Sequence, residues 1–193
     1  MSAVVDVYNQ IAKSFSRTRY KKWKSVEDFL EVVQPNDKIL ELGCGNGKNL
    51  MDHKEQSIGI DISEELCKIC EERGIRTICG DILEIELEEE SFDHILCIAV
   101  IHHFQKKEDQ IRIIQKIYRL LKPGGRALIT GWNVSEPHYS FSPGDNYVKF
   151  GYSQRYYYIY HVGELKEMIE STIETKHIDY RNENGNDTIF IVK

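Results

Sequence analysis

Short apolar runs alternate with stretches of helical period along most of this chain. Runs at about 38–42, 57–60, 75–79, 92–98 and 126–132 have the length and the β-branched character of strands. Between them, 63–73 and 107–121 space their apolar residues as amphipathic helices do. Two further helices are predicted ahead of the first strand, at 6–13 and 24–33, the second with Ser25 as a possible cap and Asp28 three positions later. Strand and helix alternating in this way predict a doubly wound, mostly parallel α/β sheet. After an irregular stretch beyond strand five, a helix is predicted at 162–170. Segments 173–180 and 187–192 then form an antiparallel hairpin around the turn at 183–186, which brings the sheet to seven strands.

The first strand carries the clearest chemistry. Ile39, Leu40 and Leu42 lead directly into Gly43, Gly45 and Gly47, where the backbone turns sharply and approaches a ligand without Cβ atoms in the way. The helix N-terminus that follows a strand in such a unit offers free N–H groups to that ligand. The second strand ends at Asp61, where an open α/β sheet holds the ribose hydroxyls of an adenosine cofactor. A dinucleotide fingerprint requires its third glycine at position 48, which is Lys48, so a dinucleotide is disfavoured.

At 193 residues the chain has the size of one domain, expected to span 1–193 with 1–35 as a helical cap and 133–160 as a substrate-side insert. No run of about 18 apolar residues and no signal peptide pattern is present, so a cytoplasmic location, with the nucleus as an alternative, is expected and no membrane. The 5 cysteines have no disulfide framework. Cys67 and Cys70 form a C-x-x-C pair inside a helix, without a second pair to complete a tetrahedral zinc site, and no metal is expected. The acidic stretch 84–90 reads as a solvated turn.

Four separated motifs, ELGCGNG at 41–47, GIDIS at 59–63, GDI at 80–82 and LKPGG at 121–125, resemble the class I S-adenosylmethionine-dependent methyltransferases. The resemblance implies a Rossmann-like methyltransferase sheet. It places Gly43, Gly45 and Gly47 along the methionine part of the cofactor with Glu41 nearby, Asp61 and its neighbour Ile62 at the ribose, Asp81 and Ile82 at the adenine, and Ile98 and Ala99 at the sulfonium end.

Three further segments, VYNQIAKSFSRTRYKKW at 7–23, IAVIHHF at 98–104 and RYYYIYHVGEL at 155–165, resemble the eukaryotic tRNA wobble-uridine carboxymethyl methyltransferases. Tyr158 stands where that family's pattern has a histidine, and the insert after Trp132 is short. The resemblance implies methylation of the carboxylate of 5-carboxymethyluridine in a tRNA anticodon stem-loop. It also implies a small zinc-binding activator partner, tRNA methyltransferase subunit 112, with the third strand as the expected sheet edge. Because a carboxylic acid of pKa about 4 is already ionised at pH 7, the reaction needs positioning more than a base. Arg19 is the first candidate for a two-point carboxylate clamp and Arg155 the second, each weighed against a surface ion pair. One of His102 and His103 is expected to orient the acceptor, with the other a packing residue. Trp132 with Asn133 is expected beside the base, and Tyr20, Trp23, Tyr156 and Tyr157 divide between stacking and packing.

Charge complicates a nucleic-acid substrate, because 31 acidic against 25 basic residues leave a net charge of −6. Lys13, Arg17, Arg19, Lys21, Lys22 and Lys24 nevertheless cluster in one stretch, enough for a local basic patch. The alternatives are a methyltransferase for a small molecule or protein, which would show no such patch around the methyl donor, and a non-catalytic cofactor-binding scaffold, whose function would survive substitution of Arg19 or His103.

Overall fold

In the computed structural model, which describes residues 2–193, the strands are β1 (Ile39–Leu42), β2 (Ser57–Asp61), β3 (Arg76–Cys79), β4 (Phe92–Ile98), β5 (Leu121–Trp132), β6 (Gly144–Phe150), β7 (Ser153–Ile159), β8 (His177–Glu183) and β9 (Asn186–Val192). The helices are α1 (Ser2–Thr18), α2 (Lys24–Leu30), α3 (Glu64–Glu72), α4 (Lys107–Leu120) and α5 (Glu164–Thr172). Residue 1, the start of the expected 1–35 cap, lies outside the described residues.

Seven strands form one sheet in the order β3-β2-β1-β4-β5-β9-β8, parallel from β3 to β5 and antiparallel through β9 and β8. Every residue of β1 is buried, as a strand covered on both faces requires. The order reverses at β1, which has β2 on one side and β4 on the other, and an open α/β sheet binds its ligands at the carboxyl ends beside such a switch point.

The expected elements are present, with five differences. The helix expected to follow the glycine loop is a turn and a 3-10 segment, Met51–Gln56, so among the described residues no α-helix N-terminus follows β1 directly. Helix α1 is longer than 6–13, because Tyr8, Ile11, Ala12 and Phe15 continue one face to its end. Helix α2 starts two residues earlier than a Ser25 cap requires, so Ser25 is buried inside it, and Trp23 caps it without a side-chain hydrogen bond. Strand β5 begins at Leu121 opposite Phe92 and resumes register at Arg126 opposite His94, so the glycines of LKPGG form an irregularity within the strand. The stretch after β5 is not irregular throughout, because β6 and β7 pair as a separate hairpin from Gly144 opposite Ile159 to Phe150 opposite Ser153.

Asp187 on β9 pins the closing hairpin to the rest of the fold. It is fully buried, accepting from Asn133 Nδ2 (2.8 Å), Tyr180 Oη (3.0 Å) and the Gly163 N–H (2.9 Å) through Oδ1, and from the Leu165 N–H (3.1 Å) through Oδ2. These backbone donors are free N–H groups at the start of α5. Asp187→Ala would leave several buried donors unpaired, and a loss of about 3 kcal/mol in chemical denaturation is expected.

Candidate active site

Where β1 ends, Gly43 turns with φ +72°, and its N–H and that of Cys44 both donate to the Ile60 carbonyl (2.8 and 2.9 Å). A Cβ on Gly43 would lie 2.3 Å from Val100 Cγ2, so both the conformation and the space demand glycine. Asp61 braces the loop from β2, with Oδ2 accepting from the Gly45 N–H (2.8 Å) and Oδ1 from the Ser63 N–H (2.9 Å). Burial pushes this carboxyl above its ordinary range, against the opposing effect of its backbone donors. Asn46 ties the same loop to the end of α1, donating to Ser16 Oγ (3.1 Å) and to the Arg19 carbonyl (2.9 Å).

A cavity of about 530 Å³ opens at the carboxyl ends of the strands above this loop. Glu41, Gly43, Gly45, Asp61 and Ile62 line it, as do Asp81, Ile82, Ile98 and Ala99. Gly47 does not, because it is turned into packing, where a Cβ would lie 2.3 Å from Ile75 Cδ1. Ala99 holds a left-handed φ of +57°, rare for a residue with a Cβ, and its N–H donates to Thr130 Oγ1 (2.9 Å).

Arg19, Trp23, His103, Trp132, Arg155, Tyr156 and Tyr157 line the same cavity. Three residues expected beside them lie elsewhere. Asn133 is fully buried in the Asp187 network, with its Oδ1 accepting from the Ser135 N–H and hydroxyl. His102 is fully buried and stacks on Tyr157, rings 4.5 Å apart and 19° from parallel, while its Nδ1 accepts from the Trp132 N–H (3.1 Å). Tyr20 is exposed outside the cavity. Of the two histidines, then, His102 packs and His103 faces the cavity.

Arg155 is the least expected feature of the site. It is 4 % exposed and its Nε has no partner, yet no carboxylate pairs with it among the described residues. Aromatic rings surround it instead, with its guanidinium carbon 5.2 Å from the ring centroids of Phe150 and Tyr157 and 5.9 Å from that of Tyr8. Arg155 Nη1 donates to Tyr8 Oη (3.4 Å), which lies 2.9 Å from His103 Nε2. His103 Nδ1 is 2.8 Å from the Tyr156 carbonyl, which can only accept, so Nδ1 carries the proton and the Tyr8 hydroxyl donates to Nε2. Burial lowers the His103 pKa to about 4, which keeps this imidazole neutral at pH 7.

The methyltransferase domain family model matches residues 40–129. The tRNA (carboxymethyluridine(34)-5-O)-methyltransferase of Schizosaccharomyces pombe is 33% identical over 198 residues, covering 87% of this chain and 86% of that protein. The chain belongs to the tRNA (carboxymethyluridine(34)-5-O)-methyltransferase family. Mouse ALKBH8, which carries the same activity name, is 39% identical over 136 residues, 70% of this chain but 20% of its own length. Among solved structures, a Haloferax volcanii complex of the Trm112 methyltransferase activator with a methyltransferase matches with a TM-score of 0.71 at 15% identity, over 98% of this chain and 96% of that one. A Burkholderia thailandensis N1-methyltransferase bound to S-adenosylhomocysteine matches with a TM-score of 0.70 at 17% identity, over 99% of this chain and 86% of that one. At these identities the structural matches show the fold.

The residues present fit the cofactor of this family, S-adenosylmethionine. Glu41 is 1 % exposed, with Oε1 accepting from Asn49 Nδ2 (2.6 Å) and Oε2 buried without a partner in the cavity wall, which suits the cofactor's ammonium group. Asp81 brings a carboxylate and Ile82 an apolar surface. Burial raises the Glu41 pKa to about 8. A cation arriving beside it would ionise it, so cofactor binding is expected to release a proton at pH 7, with affinity rising toward pH 8 and levelling above. Titration calorimetry in buffers of different ionisation enthalpy would show the release, and Glu41→Gln would remove it.

Tyr8 and Phe15 also line this cavity; Phe15 opens the aromatic and basic stretch 15–23, but neither was assigned a role from sequence alone. The signal for them was the apolar face of α1, which reads equally well as core.

Proposed function

We propose that this chain transfers a methyl group from S-adenosylmethionine to the carboxylate of 5-carboxymethyluridine at the wobble position of tRNA, forming the methyl ester. Arg155 carries this reading. A buried cation with no anion of its own is costly to maintain. Arg155 is held by aromatic rings in the wall of the cavity that the glycine loop also lines, so an acceptor bearing a carboxylate would complete it. Arg19 is a second arginine facing the cavity, with its guanidinium carbon 5.3 Å from the Phe15 ring centroid.

The cofactor supplies an electrophilic methyl group. The chain's own residues supply position and environment. Arg155 would hold one end of the carboxylate, strengthened by the low dielectric of its aromatic surroundings. Neutral His103 keeps the Tyr8 hydroxyl turned toward its own Nε2, which leaves the Tyr8 oxygen as acceptor for Arg155 and so fixes the guanidinium. Trp132 and Tyr157, with rings 4.8 Å apart, offer an apolar wall for the uracil. No general base is required.

The exposed basic residues Lys13, Arg17 and Lys21 support an RNA acceptor, while Lys22 and Lys24 are paired with Asp52 and Asp28. A small zinc-binding activator subunit would dock on β3, the sheet-edge strand with β2 as its neighbour on one side and none on the other. The test is transfer of labelled methyl to an anticodon stem-loop carrying 5-carboxymethyluridine, with and without the activator, followed by nucleoside mass analysis. A base-labile ester on that uridine supports the proposal. Label on any other nucleoside, or none in either preparation, overturns it.

A further inference from the structure

Exposed aromatic side chains stand on the segments that wall the cavity. Tyr152 is fully exposed in the two-residue turn of the β6–β7 hairpin, where Phe150 pairs with Ser153 and Gly151 takes φ +59°. The turn explains the glycine, and nothing in the packing explains a tyrosine beside it. Tyr147 on β6 is 64 % exposed although it lines the cavity. Tyr20 and Trp23, which follow α1, are 83 % and 36 % exposed, and Trp23 lines the cavity.

The hairpin tip is held close to α1. Phe150 lies 6.3 Å from Phe15 between ring centroids, and at the root Tyr156 Oη donates to Asp145 Oδ1 (2.7 Å). The Phe150–Phe15 contact sets the hairpin tip beside the last turn of α1, the helix on which Arg17 is exposed; Lys21 just beyond it and Lys149 on β6 are exposed as well. Single exposed aromatics are ordinary on a protein surface. Several of them on the segments that wall one cavity, among exposed cations on a chain of net charge −6, match the chemistry of single-stranded nucleic acid, whose bases stack on rings and whose phosphates meet cations. A cavity of about 530 Å³ has the size of a small-ligand site, so the nucleotides flanking an inserted uridine must lie over this rim.

We propose that the β6–β7 hairpin is a stacking platform for single-stranded RNA, on which Tyr152 and Tyr147 take the bases flanking the nucleotide in the cavity while Arg17, Lys21 and Lys149 meet phosphates. The inference rests on the reading of the cavity as a site for a modified nucleotide in RNA. It makes the chain selective for an unpaired loop over a duplex.

The experiment is fluorescence anisotropy of a labelled seven-nucleotide RNA with 5-carboxymethyluridine at its centre, free and annealed to its complement, using the full chain with its activator if one is required. The free strand is expected to bind more tightly than the duplex. Tyr152→Ala is expected to weaken it about tenfold, with Tyr152→Trp restoring binding to within about twofold of wild type. S-adenosylhomocysteine binding by each variant reports that the fold is intact. Equal affinity for strand and duplex, no loss in Tyr152→Ala, or binding of an acidic peptide in place of RNA would overturn the proposal. The two readings fail differently. Wild type that binds the strand but transfers no methyl counts against the enzymatic reading, whereas methyl transfer with Tyr152→Ala equal to wild type counts against the platform.

Discussion

Arg155→Met is expected to lower kcat/KM on carboxymethyluridine RNA by about a thousandfold while cofactor affinity holds and the melting temperature stays level or rises. The first part follows from removing a desolvated charge that meets a substrate carboxylate, a truncation that costs about 2–5 kcal/mol. The second follows from the absence of a carboxylate partner for Arg155 among the described residues. Replacing a buried charge by an apolar side chain of similar length removes a desolvation burden, and such exchanges are neutral or stabilising by about 1–4 kcal/mol. An arginine present for the structure alone would give the opposite pattern, a lowered melting temperature with activity retained in the folded fraction. Arg155→Lys should recover little activity, since a point charge cannot reproduce the planar fork toward both a carboxylate and Tyr8. Steady-state kinetics beside thermal unfolding of the same preparations separates the two accounts.

Asp61→Asn should lower cofactor affinity by about a hundredfold and stability by about 2 kcal/mol. Its two oxygens accept from the N–H groups of Gly45 and Ser63, one in the glycine loop and one at the cap of α3, so a single carboxylate sets the distance between the two. An amide in its place turns an NH2 group toward one of those donors, and the loop must move or leave a buried N–H unpaired. If Asp61 also accepts from the cofactor's ribose, as the family resemblance implies, the same change leaves one acceptor oxygen where there were two. Calorimetric titration with S-adenosylhomocysteine and chemical denaturation read the two effects separately. Stability lost with affinity unchanged would confine Asp61 to bracing the loop.

The cofactor side was legible because its information is local. A buried strand, glycines that turn in place and an acid at the end of the next strand are each dictated by backbone geometry within a few residues. Gly47 departed from the pattern, because only the packing of Ile75 shows that it faces away from the cavity. The acceptor side was less legible, since its residues come together through the β6–β7 hairpin. Burial alternates along 145–150 but the sequence DNYVKF does not, and the turn Gly151–Tyr152 lacks the usual Asn-Gly or Asp-Gly form, so the segment read as irregular. The hairpin supplies Arg155 itself and the Phe150 and Tyr157 rings around it, and so gives Tyr8 a second partner beside His103. Adjacent residues in the turn Ile101–His103 point in different directions, so sequence left open which histidine faces inward. Asn133, one residue beyond Trp132, is claimed by Asp187, a residue far away in sequence.

The central claim is that the cavity selects a carboxylate. The direct test compares two stem-loops that differ at one group, 5-carboxymethyluridine and 5-carbamoylmethyluridine, as acceptors and competitors under identical conditions. Methyl transfer to the acid alone, with the amide competing at least a hundredfold more weakly, is the result predicted from Arg155. Equal competition by the amide, or transfer that survives Arg155→Met undiminished, would contradict it.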